Sequence, residues 1–280
     1  MNSQHPHQDL TNSLSLRLSN ILTTHQLKHL DLCAGRIGGR RLAWRSDTPA
    51  PLQTLHDSNA AQHSSQDCDQ PSPLANRRYL VASITKPVVA MLTLQMAAEG
   101  LLSLTDRLES FLPAFDRAGL RRITIRNVLT HTSGLPDMLP NNEELRAEHA
   151  ELAKFAAQTA EVTLDFPVGT DSRYSSMGFA ALGQILSQVG GASVAELLRE
   201  RIFMPLGMRD SWLGFPVERA EELLPTALPC ELPIWQPDQA DWNWNSRYWR
   251  TLGATWGGLI STAADLERFA RAMLSPGSIS

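Results

Sequence analysis

The sequence predicts a mixed α/β (α+β) chain, and three observations carry that prediction. Two apolar runs, residues 30–37 and 40–44, flank Gly38-Gly39, a dipeptide suited to a tight antiparallel hairpin because glycine accepts positive φ. Apolar runs at helical spacing recur from residue 88 onward and are closed by glycine or proline. At 280 residues and 42% apolar content, the chain is long enough for one large domain or two small ones with a sizeable core.

Taken in order, residues 10–30 carry Leu14, Leu18, Ile21 and Leu22 at amphipathic-helix spacing. The hairpin follows. Residues 45–76 then turn to Ser, Gln, Asp, His and Pro, bury little, and read as a flexible surface loop. The expected organisation is a tail and helix over 1–29, then one domain over 30–280 that contains this loop. Residues 79–82 read as a strand and 88–98 as an apolar helix ended by Gly100; a new segment runs over 101–115. Residues 123–130 form a short helix behind a Thr124 cap and deliver the turn His131-Thr132-Ser133-Gly134-Leu135-Pro136. Residues 143–160 read as a polar, alanine-rich helix. Two apolar helices over 177–189 and 194–203 are separated by Gly190-Gly191 and closed by Pro205-Leu206-Gly207-Met208. Trp235, Trp242, Trp244, Trp249 and Trp256 crowd the region that follows, where packing of a loop onto the domain outweighs lining of a substrate cleft. Gly257-Gly258-Leu259-Ile260-Ser261-Thr262 leads into a last helix over 263–274.

Several function classes fall away on composition. A net charge of −4 and a pI near 6.1 give no field that would collect nucleic acid or an anionic membrane surface. Cys33, Cys68 and Cys230, odd in number and far apart, make neither a disulfide framework nor a metal cluster and read as buried or idle thiols. His5 and His7 read as part of a polar tail rather than as metal ligands. The start lacks a cationic segment followed by an apolar core, and no stretch approaches the roughly 18 apolar residues of a membrane span, so the expected location is cytoplasmic. There is no Gly-x-Ser-x-Gly elbow, no Gly-Lys phosphate loop and no His-Glu-x-x-His zinc motif, and no cofactor is expected.

Chemistry concentrates at Ser83-Ile84-Thr85-Lys86, between the strand-like run and the apolar helix. Residues three apart share a helix face, with Cβ atoms about 5–6 Å apart, so the Lys86 amine can reach back to the Ser83 hydroxyl. A serine hydroxyl is a weak nucleophile unless a neighbour takes its proton. Pro87 is tolerated only in a first turn, so the helix should begin at or just before Ser83, which puts the serine at the positive end of the dipole. Backbone N–H groups there can stabilise an oxyanion, and the same field with desolvation favours the uncharged amine a base must be. Spacing alone does not decide, since chance would produce it roughly one time in four.

Three further segments add to this spacing. His131 to Pro136 comes first, then Tyr174-Ser175-Ser176 behind Phe166-Pro167-Val168-Gly169-Thr170, then the Gly257-Gly258 segment. In this order they resemble the serine β-lactamase and penicillin-binding-protein superfamily, in its class C-like branch of esterases and D-amino peptidases, over about residues 79–274. The resemblance implies a β-lactamase/transpeptidase-like fold, a helical region packed on an antiparallel sheet. It implies a serine hydrolase acting on a small-molecule ester, amide or lactam. Ser83 would form the acyl-enzyme, Lys86 would take or relay its proton, and Tyr174 would act beside Lys86 as a phenolate or proton relay. The Ser83 N–H would supply half of the oxyanion hole. His131 is treated as architectural, and Gly257-Gly258 as a packing element that permits close backbone approach.

Two departures qualify the implied activity. Ser176 stands where relatives usually carry asparagine; as a substrate-binding residue it has one donor and a shorter reach, which disfavours penicillin-like substrates more than simple esters. The third family motif, Lys-Thr-Gly or His-x-Gly, begins at none of the eight histidines or three lysines. The strand that carries it is expected after the last helix, so the expected sheet is incomplete, with an unpaired edge that invites self-association. A truncated product, a chain completed by pairing with another molecule, and a catalytically impaired relative acting as a binding module all stay open on the sequence alone.

Overall fold

The computed structural model describes residues 6–25, 29–35, 41–46, 53–55, 77–232 and 242–275. They fall into two compact units, one holding the residues up to Arg77 and from Thr262, the other spanning Arg78–Ser261.

In the first unit, α1 (Pro6–Thr24) buries Leu18 against Trp44, with Leu14, Leu22, Leu30, Leu32 and Leu42 packed around them. Leu14, Leu18 and Leu22 recur every four residues and make the predicted stripe; Ile21 lies off it and is exposed. The helix stops at Thr24 rather than near residue 30 because Leu30 joins this cluster from the strand side. Strands β1 (Asp31–Gly35) and β2 (Arg41–Arg45) pair antiparallel with Cys33 opposite Ala43. The predicted Gly38-Gly39 turn lies outside the described residues. β3 (Gln53–Leu55) adds to the far side of β2, so the stretch expected to be loop over 45–76 contributes a strand; the other residues of 47–76 lie outside the description. Backbone pairing is indifferent to the polar side chains that argued for a loop. The buried Asp31 carboxylate takes Arg77 at 3.2 Å and Arg45 at 3.6 Å.

The second unit opens with β4 (Tyr79–Leu80), which leads into α2 (Thr85–Ala98), whose Val88, Val89, Leu92 and Met96 are fully buried. The segment over 101–115 carries two 3-10 turns, Leu108–Ser110 and Pro113–Phe115, and Pro113 opens the second. α3 (Ile125–Leu129) starts at the predicted Thr124, whose hydroxyl accepts the Asn127 N–H in a full capping box. The predicted helix over 143–160 is broken in two, α4 (Asn142–Ala147) and α5 (Leu152–Thr159). His149 takes φ +55° at the break, stacked on Tyr248 with centroids 4.5 Å apart, and Tyr248 Oη donates to the Ala150 carbonyl at 2.8 Å. Tertiary contacts there outweigh alanine-rich helix propensity.

α6 (Met177–Gly190) ends at left-handed Gly191, as the Gly-Gly pair predicts. α7 (Val194–Leu198) begins behind a Ser193–Glu196 capping box, and the predicted run to 203 continues as a π turn that buries Ile202 and Phe203. β5 (Trp212–Leu213), α8 (Ala220–Leu223), α9 (Arg247–Leu252) and β6 (Leu259–Ser261) complete the unit, the strands forming an antiparallel sheet of order β4-β6-β5. β6 is buried at every position. The chain then re-enters the first unit as α10 (Ala263–Leu274), with the predicted bounds, a Thr262 cap, and Ala264 packed on Ala43. Cys33 and Cys230 form no disulfide. No described helix is long and apolar enough to cross a membrane.

α6 passes so close to the 251–256 segment that a Cβ on Gly183 would lie 2.6 Å from Thr255 Cγ2. Thr255 cannot readily turn away, because its hydroxyl donates to the Phe179 carbonyl at 2.7 Å. Gly183→Ala should gain about 1 kcal/mol of helix propensity and lose about 1–3 kcal/mol to overpacking. Thermal denaturation is expected to show a lower Tm; a higher one would mean that the contact yields.

Candidate active site

Ser83 sits in a single 3-10 turn, Ala82–Ile84, between β4 and α2. The α-helix proper begins at Thr85, two residues later than the expected start, and Pro87 occupies its first turn as required. The first bond of the turn is Ile84 N–H to the Val81 carbonyl, so the Ser83 N–H precedes the hydrogen-bonded ladder. Ala82 takes φ +45°, a left-handed conformation costly for a residue with a Cβ.

Thr85 holds this strained turn. Its buried hydroxyl donates to the Ala82 carbonyl at 2.6 Å and accepts the Leu259 N–H of β6 at 3.0 Å, while the Val81 N–H donates to the Leu259 carbonyl at 2.9 Å. Thr85 is not among the residues that the sequence singles out for chemistry; its only signal is its place inside Ser-x-Thr-Lys.

The Lys86 side chain is buried and runs beneath exposed Ser83. Nζ donates to Ser83 Oγ at 3.2 Å and to the Trp256 carbonyl at 2.8 Å. It also lies 4.6 Å from the ring centroid of Tyr174 and 5.9 Å from that of Phe179. The structure thus brings Ser83, Lys86 and Tyr174 together, with the amine over the ring face of a tyrosine that is 48% exposed. The Trp256 carbonyl is a second feature that residue types could not announce, since any residue supplies one.

Tyr174 is delivered by two segments zipped along their backbones. Thr132 and Gly134 carbonyls accept from Gly169 and Asp165 N–H, and Ser175 Oγ donates to the Pro136 carbonyl. A Cβ on Gly134 would fall 2.2 Å from the Phe166 carbonyl oxygen, so glycine is required for this approach as well as for φ +78°. Ser176 stands at the N-cap position of α6, is 3% exposed, and donates its N–H to Asp137 Oδ1 at 3.0 Å. Gly258 makes the close approach expected of the Gly-Gly pair: a Cβ there would lie 2.5 Å from Ala254 N.

The tryptophans pack. Trp242, Trp249 and Trp256 are buried in an aromatic chain that reaches Phe155, and Arg146 is held between Trp242 and Trp249 at 4.5 and 4.7 Å. Burial pushes the Arg146 pKa down, opposed by Glu143, Tyr248 and Asp137, and burial pushes the Tyr248 phenol up to about 12. Trp235 lies outside the described residues. A cavity of about 400 Å³ between α6, the start of α7 and residues 213–218 is lined by none of Ser83, Lys86 or Tyr174. Among the described residues no group of His, Cys, Asp and Glu could hold a metal ion.

Known proteins resemble this chain in sequence and in fold. The family described as Beta-lactamase matches residues 59–280. Penicillin-binding protein 4 of Amycolatopsis lactamdurans is 33% identical over 199 residues, covering 70% of this chain and 50% of that protein. Lovastatin esterase of Penicillium rubens is 31% identical over 174 residues, covering 54% of this chain and 43% of the esterase. The chain therefore spans half the length or less of these curated relatives. The crystal structure of D-amino acid amidase from Ochrobactrum anthropi SV3, complexed with L-phenylalanine amide, shares the fold. Its TM-score is 0.69 at 20% identity, over 97% of this chain and 71% of the amidase.

Thr85→Val keeps the shape of the side chain and removes both buried hydrogen bonds of the hydroxyl. It should cost about 1–3 kcal/mol, read as a lower urea midpoint with an unchanged slope; an unaltered midpoint would show that the Ala82 turn does not depend on Thr85.

Proposed function

Because the chain belongs to the beta-lactamase family, we propose that it is a serine hydrolase that opens an ester, amide or lactam through an acyl-enzyme on Ser83. The observation that carries this reading is the Lys86 amine, buried and aimed at Ser83 Oγ from 3.2 Å while the Trp256 carbonyl holds it in place. An exposed hydroxyl over a buried amine is the arrangement nucleophilic catalysis by serine needs.

In the first step Ser83 Oγ bonds to the acyl carbon as its proton passes to Lys86 Nζ. The 3.2 Å contact reverses for this, with the hydroxyl donating to the amine lone pair while an amine N–H stays on the Trp256 carbonyl. The Ser83 N–H, ahead of the hydrogen-bonded ladder, supplies one donor to the oxyanion. Collapse breaks the bond to the leaving group, which departs with the proton relayed through Lys86 and the Tyr174 hydroxyl. Water then attacks the acyl carbon and gives its proton to the same pair; the Ser83–acyl bond breaks and Ser83 recovers its proton. The amine over the Tyr174 ring keeps lysine and phenol adjacent throughout.

Esters suit the site better than lactams in this reading. Ser176 offers a single short donor where family relatives usually carry an asparagine amide, and it is 3% exposed. Substrates that rely on an amide contact at this position therefore lose more than simple esters do.

Labelling with a fluorophosphonate tests the proposal. Wild type is expected to label and Ser83→Ala not to, while Lys86→Met should label about a hundredfold or more slowly. No Ser83-dependent label at any reagent concentration rejects the hydrolase and leaves a family member that acts by binding. Ser176→Ala should raise KM for an N-acyl amide substrate by about threefold to tenfold and change that for p-nitrophenyl esters far less; an unchanged KM for the amide removes Ser176 from substrate binding.

A further inference from the structure

His131 is placed to do more than turn the chain. Its carbonyl accepts the Arg173 N–H at 3.0 Å and its Nδ1 accepts the Ser175 N–H at 3.1 Å. One residue therefore holds the backbone on both sides of Tyr174. The His131 ring also lies against the Tyr174 ring, with centroids 4.8 Å apart, and against Phe179 at 5.8 Å. Both of those rings flank Lys86 Nζ.

We propose that neutral His131 is the positioning residue for Tyr174, holding the phenol over the Lys86 amine through paired bonds to the N–H groups of residues 173 and 175. The inference rests on the serine hydrolase reading for its catalytic consequence and on geometry alone for the clamp. The Nδ1 bond requires a lone pair on that nitrogen, so the ring proton sits on Nε2. A second proton on the ring would turn Nδ1 into a donor facing the Ser175 N–H and release one side of the clamp.

The surroundings keep the ring neutral. Burial lowers the His131 pKa from its ordinary 6.5, Lys86 when protonated lowers it further, and Asp137 opposes both. The titratable groups that face it are Lys86 on α2, Asp137 on its own turn and Tyr174 on the segment it clamps. The direction of the pH effect follows. With its pKa depressed, His131 is neutral and the clamp closed above about 6.5. The clamp is lost as pH falls through the lowered value.

Two substitutions separate the acceptor from the ring. His131→Phe keeps an aromatic ring beside Tyr174 and removes Nδ1. His131→Asn removes the ring but offers Oδ1 to the Ser175 N–H, and asparagine tolerates the φ of +58° found here. Hydrolysis of p-nitrophenyl esters by the full chain should show kcat about a hundredfold lower in His131→Phe, as misplacement of a reacting group predicts, with KM changed far less. His131→Asn should recover most of that loss, and its acid limb below pH 6.5 should disappear. A His131→Phe variant with wild-type kcat, or a His131→Asn variant that recovers nothing while folding normally, overturns the proposal.

Nitrogen-15 NMR of the wild-type histidines tests the clamp with neither variant nor turnover. The Nε2–H tautomer at His131, titrating below 6.5 together with the Tyr174 ring resonances, supports the clamp. An Nδ1–H tautomer, or Tyr174 resonances indifferent to that titration, overturns it. If wild type shows no Ser83-dependent fluorophosphonate label, the hydrolase reading falls by itself and the tautomer still decides the clamp.

Discussion

The site depends on one buried amine with two acceptors, Ser83 Oγ and the carbonyl of Trp256. A lysine this deeply buried is costly unless its N–H groups are satisfied, and here carbonyl, hydroxyl and two ring faces surround it. The Trp256 carbonyl sets the amine's position, and in the proposed reaction the hydroxyl is what the amine acts upon. The two acceptors come from segments far apart in the chain, with Trp256 lying 170 residues beyond Lys86, so the contact exists only if those segments are held in register.

The β4-β6 pairing and Thr85 provide that register. Leu80 lies opposite Ile260, and Thr85 ties the Ala82 carbonyl to the Leu259 N–H just beyond the Gly257-Gly258 turn. The left-handed Ala82 is therefore held from both sides, as a strained residue must be to persist. Behind it, Trp256 continues into the aromatic chain through Trp249 and Trp242 that encloses Arg146. The tryptophans thus serve the site indirectly: they fix the backbone whose carbonyl anchors the lysine.

Rigidity and access are divided among neighbours. Lys86 and Thr85 are buried, whereas Ser83 and Tyr174 are exposed. In the proposed reaction the exposed pair meets the substrate and the buried pair keeps it in place. Tyr174 owes its position to the 131–137 turn, where Gly134 permits backbone contact that no side chain would allow. A motif that is architectural in character thereby fixes where the Tyr174 ring lies.

Much of this was legible in the residues, where the physics is local. The serine–lysine spacing, the Thr124 cap, the Gly191 stop and the bounds of α10 follow from helix period, capping hydrogen bonds and left-handed glycine, each acting within a few residues. The order of four motifs identified the family for the same reason, since each is a short contiguous string. Only the tertiary structure decided that Trp256 supplies the carbonyl, that Thr85 bridges to β6, that His149 breaks a helix to stack on Tyr248, and that residues 53–55 pair as a strand. Those outcomes depend on backbone groups, which every residue carries alike, and on partners far along the chain, so no local pattern of side chains could encode them.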